Sequence, residues 1–289
     1  MNEAPPALFD AKATRRNRAR ALKGDSPAFL REAVEAEILW RLDLVLRQFP
    51  KLLLVGAAPG DLATRIAQTG KAGEVIPAEI VAHGNALVID PESLPFAPES
   101  LDAVIWAGGL ESVNDLPGTL IQIRRALKAD GLFLGCVLAG ESLKELRQSF
   151  LAAESELSRG ASPRIAPFAE VRAWGALLQR AGFALPVADL DRLDVNYGNA
   201  LTLMQDLKAM GLANPLMARR KTFTPPSLLA RAAAHYAGNF ANEKGRLKAT
   251  FELVTLTGWA PHESQQKPLK PGSAKFSLAE ALGTKELKP

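Results

Sequence analysis

A run of small residues separates an apolar segment from a helical one early in the chain. Leu52-Leu53-Leu54-Val55 leads into Gly56-Ala57-Ala58-Pro59-Gly60, and a helical pattern opens at Asp61. Strand, tight turn and helix in that order place backbone N–H groups at a helix N-terminus beside the carboxyl end of a strand, where doubly wound proteins hold nucleotide-like ligands. Gly56 and Gly60 allow close approach or positive φ, and Ala57 and Ala58 keep the surface thin. Two acids stand where a nucleoside would need acceptors. Glu79 ends the next apolar segment, where a carboxylate can take hydrogen bonds from both ribose hydroxyls. Asp90 follows the segment after that, placed to accept from an adenine amino group. Either acid would serve equally as an ordinary loop residue at a strand end.

Other chemistry is poorly supported. Gly-x-Ser-x-Gly and P-loop spacings are absent. The single cysteine, Cys136, falls in an apolar strand and reads as an inert core thiol. With only His83, His235 and His262, spacing supplies no metal cluster, so no metal site is assigned. No catalytic residue is assigned either: Asn114 and Asp115 lie near the right edge, but helix N-capping explains them as well.

Bulk composition narrows the classes further. The 289 residues are 47% apolar, ample for a packed core, and carry a net charge of +4. Basic residues gather at 12–23, at 219–221 and in the C-terminal tail, without aromatic interleaving. Basic patches by themselves usually mark solvated faces or acidic partners, so no nucleic acid is expected, and a protein partner or protein substrate is the expectation. One cysteine fits a reducing, cytoplasmic compartment. No run of about 18 apolar residues is present, so no transmembrane segment is expected.

The elements must position the Gly turn and the two acids. Residues 1–25 read as a basic N-terminal arm containing a solvated helix. Residues 27–47 read as a helix closed by Pro50, with apolar positions at Val34, Ile38, Leu42, Val45 and Leu46. Strands are expected at 51–55, 74–80, 86–89, 101–106 and 132–138, with helices at 61–69 and 116–127. Alternation of this kind predicts an α/β fold: a doubly wound, mostly parallel sheet. From 143 onward helical periods appear at 143–157, 170–181, 200–210 and 227–240. Segments 184–195 and 249–257 are candidate strands in this C-terminal helical/strand insert. The main domain is thus expected over 26–260, with the helical elaboration at about 143–240. Residues 261–289 form a Pro/Lys-rich extended tail expected to lie over the surface.

Longer strings in this order resemble a known family. They include Asp90-Pro-Glu-Ser-Leu-Pro-Phe, Ser100-Leu-Asp-Ala-Val, Val113-Asn-Asp-Leu-Pro and Leu127-Lys-Ala-Asp-Gly-Leu-Phe. Together they are similar to the class I S-adenosylmethionine-dependent methyltransferases. Phe9-Asp10 before Arg15-Arg16-Asn17-Arg18, Arg180-Ala-Gly-Phe183, Val195-Asn-Tyr197, Gly258-Trp259 and His262-Glu-Ser-Gln265 narrow the likeness. So do Pro268 and Gly272-Ser-Ala274. The resemblance is to the subfamily of the mitochondrial complex I assembly factor 5 and its bacterial relatives. It implies S-adenosylmethionine as cofactor and a protein side chain as acceptor, in respiratory-complex assembly. By position, Gly56, Ala57, Ala58 and Gly60 match the loop around the cofactor's methionine part. Glu79 matches the ribose acid, and Asp90 the acid facing adenine.

Three departures from the family pattern bear on the cofactor. Leu54 replaces an acid that commonly helps hold the methionyl ammonium, a charge-assisted contact worth about 1.5–3 kcal/mol. Only residues 80–89 separate Glu79 from Asp90, too few for the usual crossover helix, so the adenosine pocket is expected to lose a wall. Glu111-Ser112 replaces the family's His-Trp after the fourth strand. All three touch one pocket and leave the core readable. The competing reading is therefore a catalytically degenerate assembly or binding protein that keeps the fold as a platform.

Overall fold

The computed structural model describes residues 6–24, 26–157, 160–266 and 283–284. The chain begins with two helices, α1 (Ala11–Ala21) and α2 (Phe29–Leu44). A first α/β half follows: β1 (Phe49–Val55), α3 (Leu62–Gln68), β2 (Ala72–Glu79), β3 (Leu87–Val88) and β4 (Leu101–Trp106). A short 3-10 turn at Leu110–Ser112 leads to α4 (Leu116–Ala126) and β5 (Leu127–Leu138). The remainder is α5 (Lys144–Leu157), α6 (Val171–Arg180), β6 (Ala184–Tyr197), α7 (Ala200–Ala209), α8 (Pro226–Phe240) and β7 (Leu247–Trp259).

All seven strands join one sheet in the order β3-β2-β1-β4-β5-β7-β6. The β3-β2-β1-β4-β5 stretch is parallel, and β7 pairs antiparallel with both β5 and β6. The predicted doubly wound, mostly parallel α/β sheet is what the chain forms. The strand order reverses between β1 and β4, which opens a crevice at their carboxyl ends.

Period-two alternation assigns side chains to the two faces. Leu52 and Leu54 of β1, with Ala103, Ile105, Leu132 and Leu134, pack in one core with α2, α3, α5, α7 and α8. Leu53 and Val55, with Val104, Trp106 and Phe133, pack in the other with α4 and α6. The central strands β1, β4 and β5 are buried on both sides, which is why they read as continuous apolar runs. Each fully buried Leu or Ile contributes about 1.5–3 kcal/mol of transfer free energy.

Three sequence expectations need correction. The helix expected over 27–47 is shorter: α2 stops at Leu44, where Val45 turns extended, and Leu46 is 96% exposed. Pro50 lies inside β1, ahead of Leu52, where pairing with β4 begins, so its missing N–H costs that ladder nothing. The basic arm is only partly solvated. Ala13, Asn17 and Ala21 of α1 are buried, because the helix lies across the carboxyl edge of the sheet. The link between β2 and β3 is a bare loop over residues 80–86, as the stripped-crossover alternative anticipated. A helix is unnecessary because the two strands share only the Ala78↔Leu87 and Glu79↔Val88 rungs, so the chain retreats by a single step. The tail, with Pro268 and 272–274, lies outside the described residues apart from 261–266 and 283–284.

Two interior features fix the geometry near the crevice. Gly56 has φ of +76°, and a Cβ there would sit 2.9 Å from the Gly108 carbonyl oxygen, so the β1 and β4 loops touch only because this residue is glycine. Glu154 of α5 is completely buried. It accepts from Arg164 Nε at 2.8 Å, Arg164 Nη2 at 2.6 Å and the Ser162 amide at 2.5 Å, pinning the 160–166 loop to α5. Gly56→Ala is expected to lower unfolding free energy by about 2 kcal/mol, through strained backbone and the carbonyl contact. Arg164→Ala is expected to cost about 3–5 kcal/mol, because it strands a buried carboxylate. Chemical denaturation checks both, and wild-type midpoints for either variant would refute the corresponding contact.

Candidate functional site

The crevice at the carboxyl ends of β1 and β4 holds a cavity of about 300 Å³. Gly56, Ala57 and Ala58 form part of its floor, Trp106 to Gly109 another part, and α1 and α2 roof it. Of the six residues expected to bind a cofactor, Gly56, Ala57, Ala58, Glu79 and Asp90 line this cavity. Gly60 does not. Its Cα instead faces α2, where a Cβ would lie 2.6 Å from Glu35 Oε1 and 3.3 Å from Arg31 Nη1. The glycine serves close packing of the loop against the buried Glu35, which binds the part-exposed Arg31 and Arg65, each at 3.0 Å.

Glu79 points inward and is 2% exposed, despite the missing crossover helix. Its Oε1 accepts from the Ala58 amide at 3.2 Å, which ties the end of β2 to the small-residue turn. Its other partner is Arg18 of α1. The guanidinium donates Nη2 to Glu79 Oε1 at 2.5 Å and Nε to Oε2 at 2.9 Å, a two-pronged ion pair. Nη2 also donates to the carbonyls of Gly56 at 3.0 Å and Ala58 at 2.5 Å. One side chain thus joins α1, β2 and the Gly turn.

Asp90 sits at the rim with about half of its side chain exposed, paired with Arg15 Nη2 at 3.1 Å. Its Oδ1 accepts from the Glu92 amide, so the loop also uses it as a turn former. Asn114 exchanges two bonds with the backbone of Phe9, at 2.8 and 3.1 Å, and holds the arm in place. Asp115 accepts from the Gly118 amide at 2.9 Å, the N-cap role expected for it. Leu54 is 1% exposed and belongs to the core beneath, so this position presents no charge to the cavity.

Glu111 is the outlying titratable group. It lines the main cavity and also a second one of about 180 Å³, walled by Leu146 and Phe150 of α5, Phe168, and Met204 and Leu207 of α7. Its Oε2 is cut off from solvent without a hydrogen-bond partner. Burial pushes its carboxyl up to about 7, against weaker opposing bonds from the Glu111 and Gly109 amides. Cys136 lines the main cavity from below, and burial raises its thiol to about 12, as befits an inert core sulfur. Among the described residues no group of His, Cys, Asp or Glu could hold a metal ion, and no helix is long and apolar enough to cross a membrane.

Sequence reasoning missed Arg15, Arg18, Arg31 and Glu35 as parts of this site. The signal for the first two was present: Arg15 and Arg18 are three apart, so one helix face carries both. Which acids they would meet depends on chain folding over more than sixty residues.

Comparison with known proteins agrees with the architecture. The methyltransferase domain family matches residues 15–186. The arginine-hydroxylase NDUFAF5, mitochondrial, of Danio rerio is 36% identical over 94% of this chain and 89% of its own length. The human protein of the same name is 35% identical over 98% and 85%. A malonyl-[acyl-carrier protein] O-methyltransferase of Gallionella capsiferriformans is 31% identical over 90% and 93%. In three dimensions the YcgJ protein from Bacillus subtilis superposes with a TM-score of 0.51 at 15% identity, over 78% of this chain and 99% of its own. Strand order, crevice and sequence similarity together place the chain in the class I methyltransferase-fold family, in the branch that contains the mitochondrial NDUFAF5 proteins.

Proposed function

We propose that this protein binds S-adenosylmethionine in the crevice and modifies a cationic side chain of a protein partner, within respiratory-complex assembly. The observation that carries the reading is the roughly 300 Å³ cavity at the strand-order reversal, with Gly56-Ala57-Ala58 and inward-facing Glu79 on its wall. The small residues leave room beside the loop, Glu79 offers acceptors for ribose hydroxyls, and Asp90 stands at the rim for the adenine amino group. The cofactor, when bound, supplies an electrophilic methyl carbon. The chain's own contribution is to hold cofactor and acceptor together, out of bulk water.

Glu111 supports the choice of acceptor. It borders the second cavity, whose other lining is mostly apolar apart from residues such as Arg164 and Lys208. An alkyl stem bearing a positive head matches that combination, as in arginine or lysine. NDUFAF5 relatives carry arginine modification in their name, and in this chain Glu111 stands where the family pattern has His. Three nearby arginines already have partners: Arg18 has Glu79, Arg15 has Asp90 and Arg164 has Glu154. The single cysteine supports a reducing compartment such as the cytoplasm.

A second reading, a platform that no longer uses the cofactor, is favoured by Leu54 and by Arg18 standing on the ribose acid. Calorimetry separates the two. Micromolar binding of S-adenosylmethionine, weakened up to about tenfold by Asp90→Ala through loss of one rim hydrogen bond, supports the enzyme. Absence of heat in wild type and in Arg18→Ala alike supports the platform.

The acceptor assignment has its own pH signature. An acid raised to about 7 is neutral below that pH and charged above it. Affinity for an arginine-containing partner peptide is therefore expected to rise between pH 6 and 8 in wild type and to stay flat in Glu111→Gln. A rise preserved in the variant would remove Glu111 from the acceptor site. Mass spectrometry of the treated partner would then separate a methyl increment from a hydroxyl one.

A further inference from the structure

Both acids assigned to the nucleoside are already engaged, and by the same helix. Arg18 donates to both oxygens of Glu79, and Arg15 donates to Asp90 Oδ2. The two arginines lie three residues apart on the face of α1 that lines the cavity, together with Ala11, Thr14 and Ala21. Guanidinium donors therefore stand where ribose hydroxyls and an adenine amino group would have to donate. Glu79 has little capacity left: Oε1 already accepts from Arg18 and from the Ala58 amide.

The attachment of α1 is of a kind that can be exchanged. Only Ala13, Asn17 and Ala21 of the helix are buried, so it contributes almost no large apolar side chain to the core. Polar contacts hold it instead. Asn17 donates to the Ala213 carbonyl at 2.6 Å, Asp10 accepts from Arg219 at 2.7 Å, and Phe9 pairs with Asn114. The half-exposed Arg15–Asp90 pair can be traded for ligand or water contacts at small net cost, whereas Arg18 can leave the buried Glu79 only as ligand hydroxyls take over its donor role. Elements with few buried apolar contacts are the ones that open locally.

We propose that α1 is a ligand-mimicking latch. In the free protein Arg15 and Arg18 occupy Asp90 and Glu79, and an adenosine-containing ligand enters by displacing them. The proposal rests on the reading of Glu79 and Asp90 as nucleoside acceptors. It adds that this chain sets its own cofactor affinity through the position of its first helix. It also makes α1 the element through which a partner protein could govern cofactor entry, by lifting or pressing it.

A reversible staple tests this in one sample. Phe9 and Leu216 face each other in an isolated antiparallel bridge flanked by the Asp10–Pro215 and Met217–Leu8 backbone bonds. Such a non-hydrogen-bonded pair brings Cα atoms to about 4.5 Å, within disulfide range. The only native thiol, Cys136, is buried. In Phe9→Cys/Leu216→Cys, S-adenosylhomocysteine binding measured by calorimetry is expected to weaken at least tenfold on oxidation and to recover with reductant. Arg18→Ala is expected to bind at least tenfold more tightly than wild type. Amide hydrogen exchange within Ala11–Ala21 is expected to speed up when the ligand is added. Equal affinity in oxidised and reduced protein, weaker binding by Arg18→Ala, or slower exchange in α1 with ligand would each overturn the latch while leaving the cofactor reading intact. Failure of every form to bind, the unlatched variant included, would overturn the latch and the cofactor reading together.

Discussion

The ion pair between Arg18 and Glu79 is the interaction on which the arrangement of the crevice depends. A carboxylate that is 2% exposed at the end of β2 cannot remain charged there without strong donors. Arg18 supplies them, and its spare donor reaches the carbonyls of Gly56 and Ala58. The Gly turn, the strand end and the first helix are thereby fixed by a single guanidinium. Lysine could not do the same work, since its ammonium lacks the planar fork that meets both carboxylate oxygens.

The rest of the site follows from the sheet. Parallel strands end together at their carboxyl edge, and the reversal between β1 and β4 leaves a gap there that no loop has to fill. In this chain the gap is bordered by two tight loops in contact, which requires Gly56 opposite Gly108. Loss of the crossover helix between β2 and β3 does not disturb Glu79, because β2 is fixed by six rungs to β1 before the chain leaves the sheet. The cavity therefore survives a deletion that the sequence pattern suggested would damage it.

Charge distribution around the cavity is uneven in a way that carries chemical meaning. Arg15, Arg18, Arg31 and Arg65 each meet an acid, the last two sharing Glu35, at distances of about 2.5 to 3.1 Å. Glu111 is different, with one oxygen shielded and unpartnered. It lies between the main cavity and the apolar one formed by α5, the 164–168 loop and α7. A group left unsatisfied in an otherwise balanced site is where a ligand contributes most, because the ligand ends a desolvation cost that the free protein bears.

Local pattern alone determined the sheet, its parallel character and the place of the Gly turn. Continuous apolar runs can be buried only on both faces, and the small residues after Val55 allow only a close turn. The acids at Glu79 and Asp90 were readable for the same reason, since strand ends fix where their side chains emerge. Helix pattern misled at Leu46 and Pro50, because periodicity does not show where a chain leaves a helix. What only tertiary structure decided is who meets whom. The basic arm looked solvated because nothing within its own sequence pairs with Arg15 or Arg18; their partners lie sixty-one and seventy-five residues away. Long-range electrostatic pairing leaves no periodic trace in a sequence, and it is settled only when folding brings α1 across the edge of the sheet.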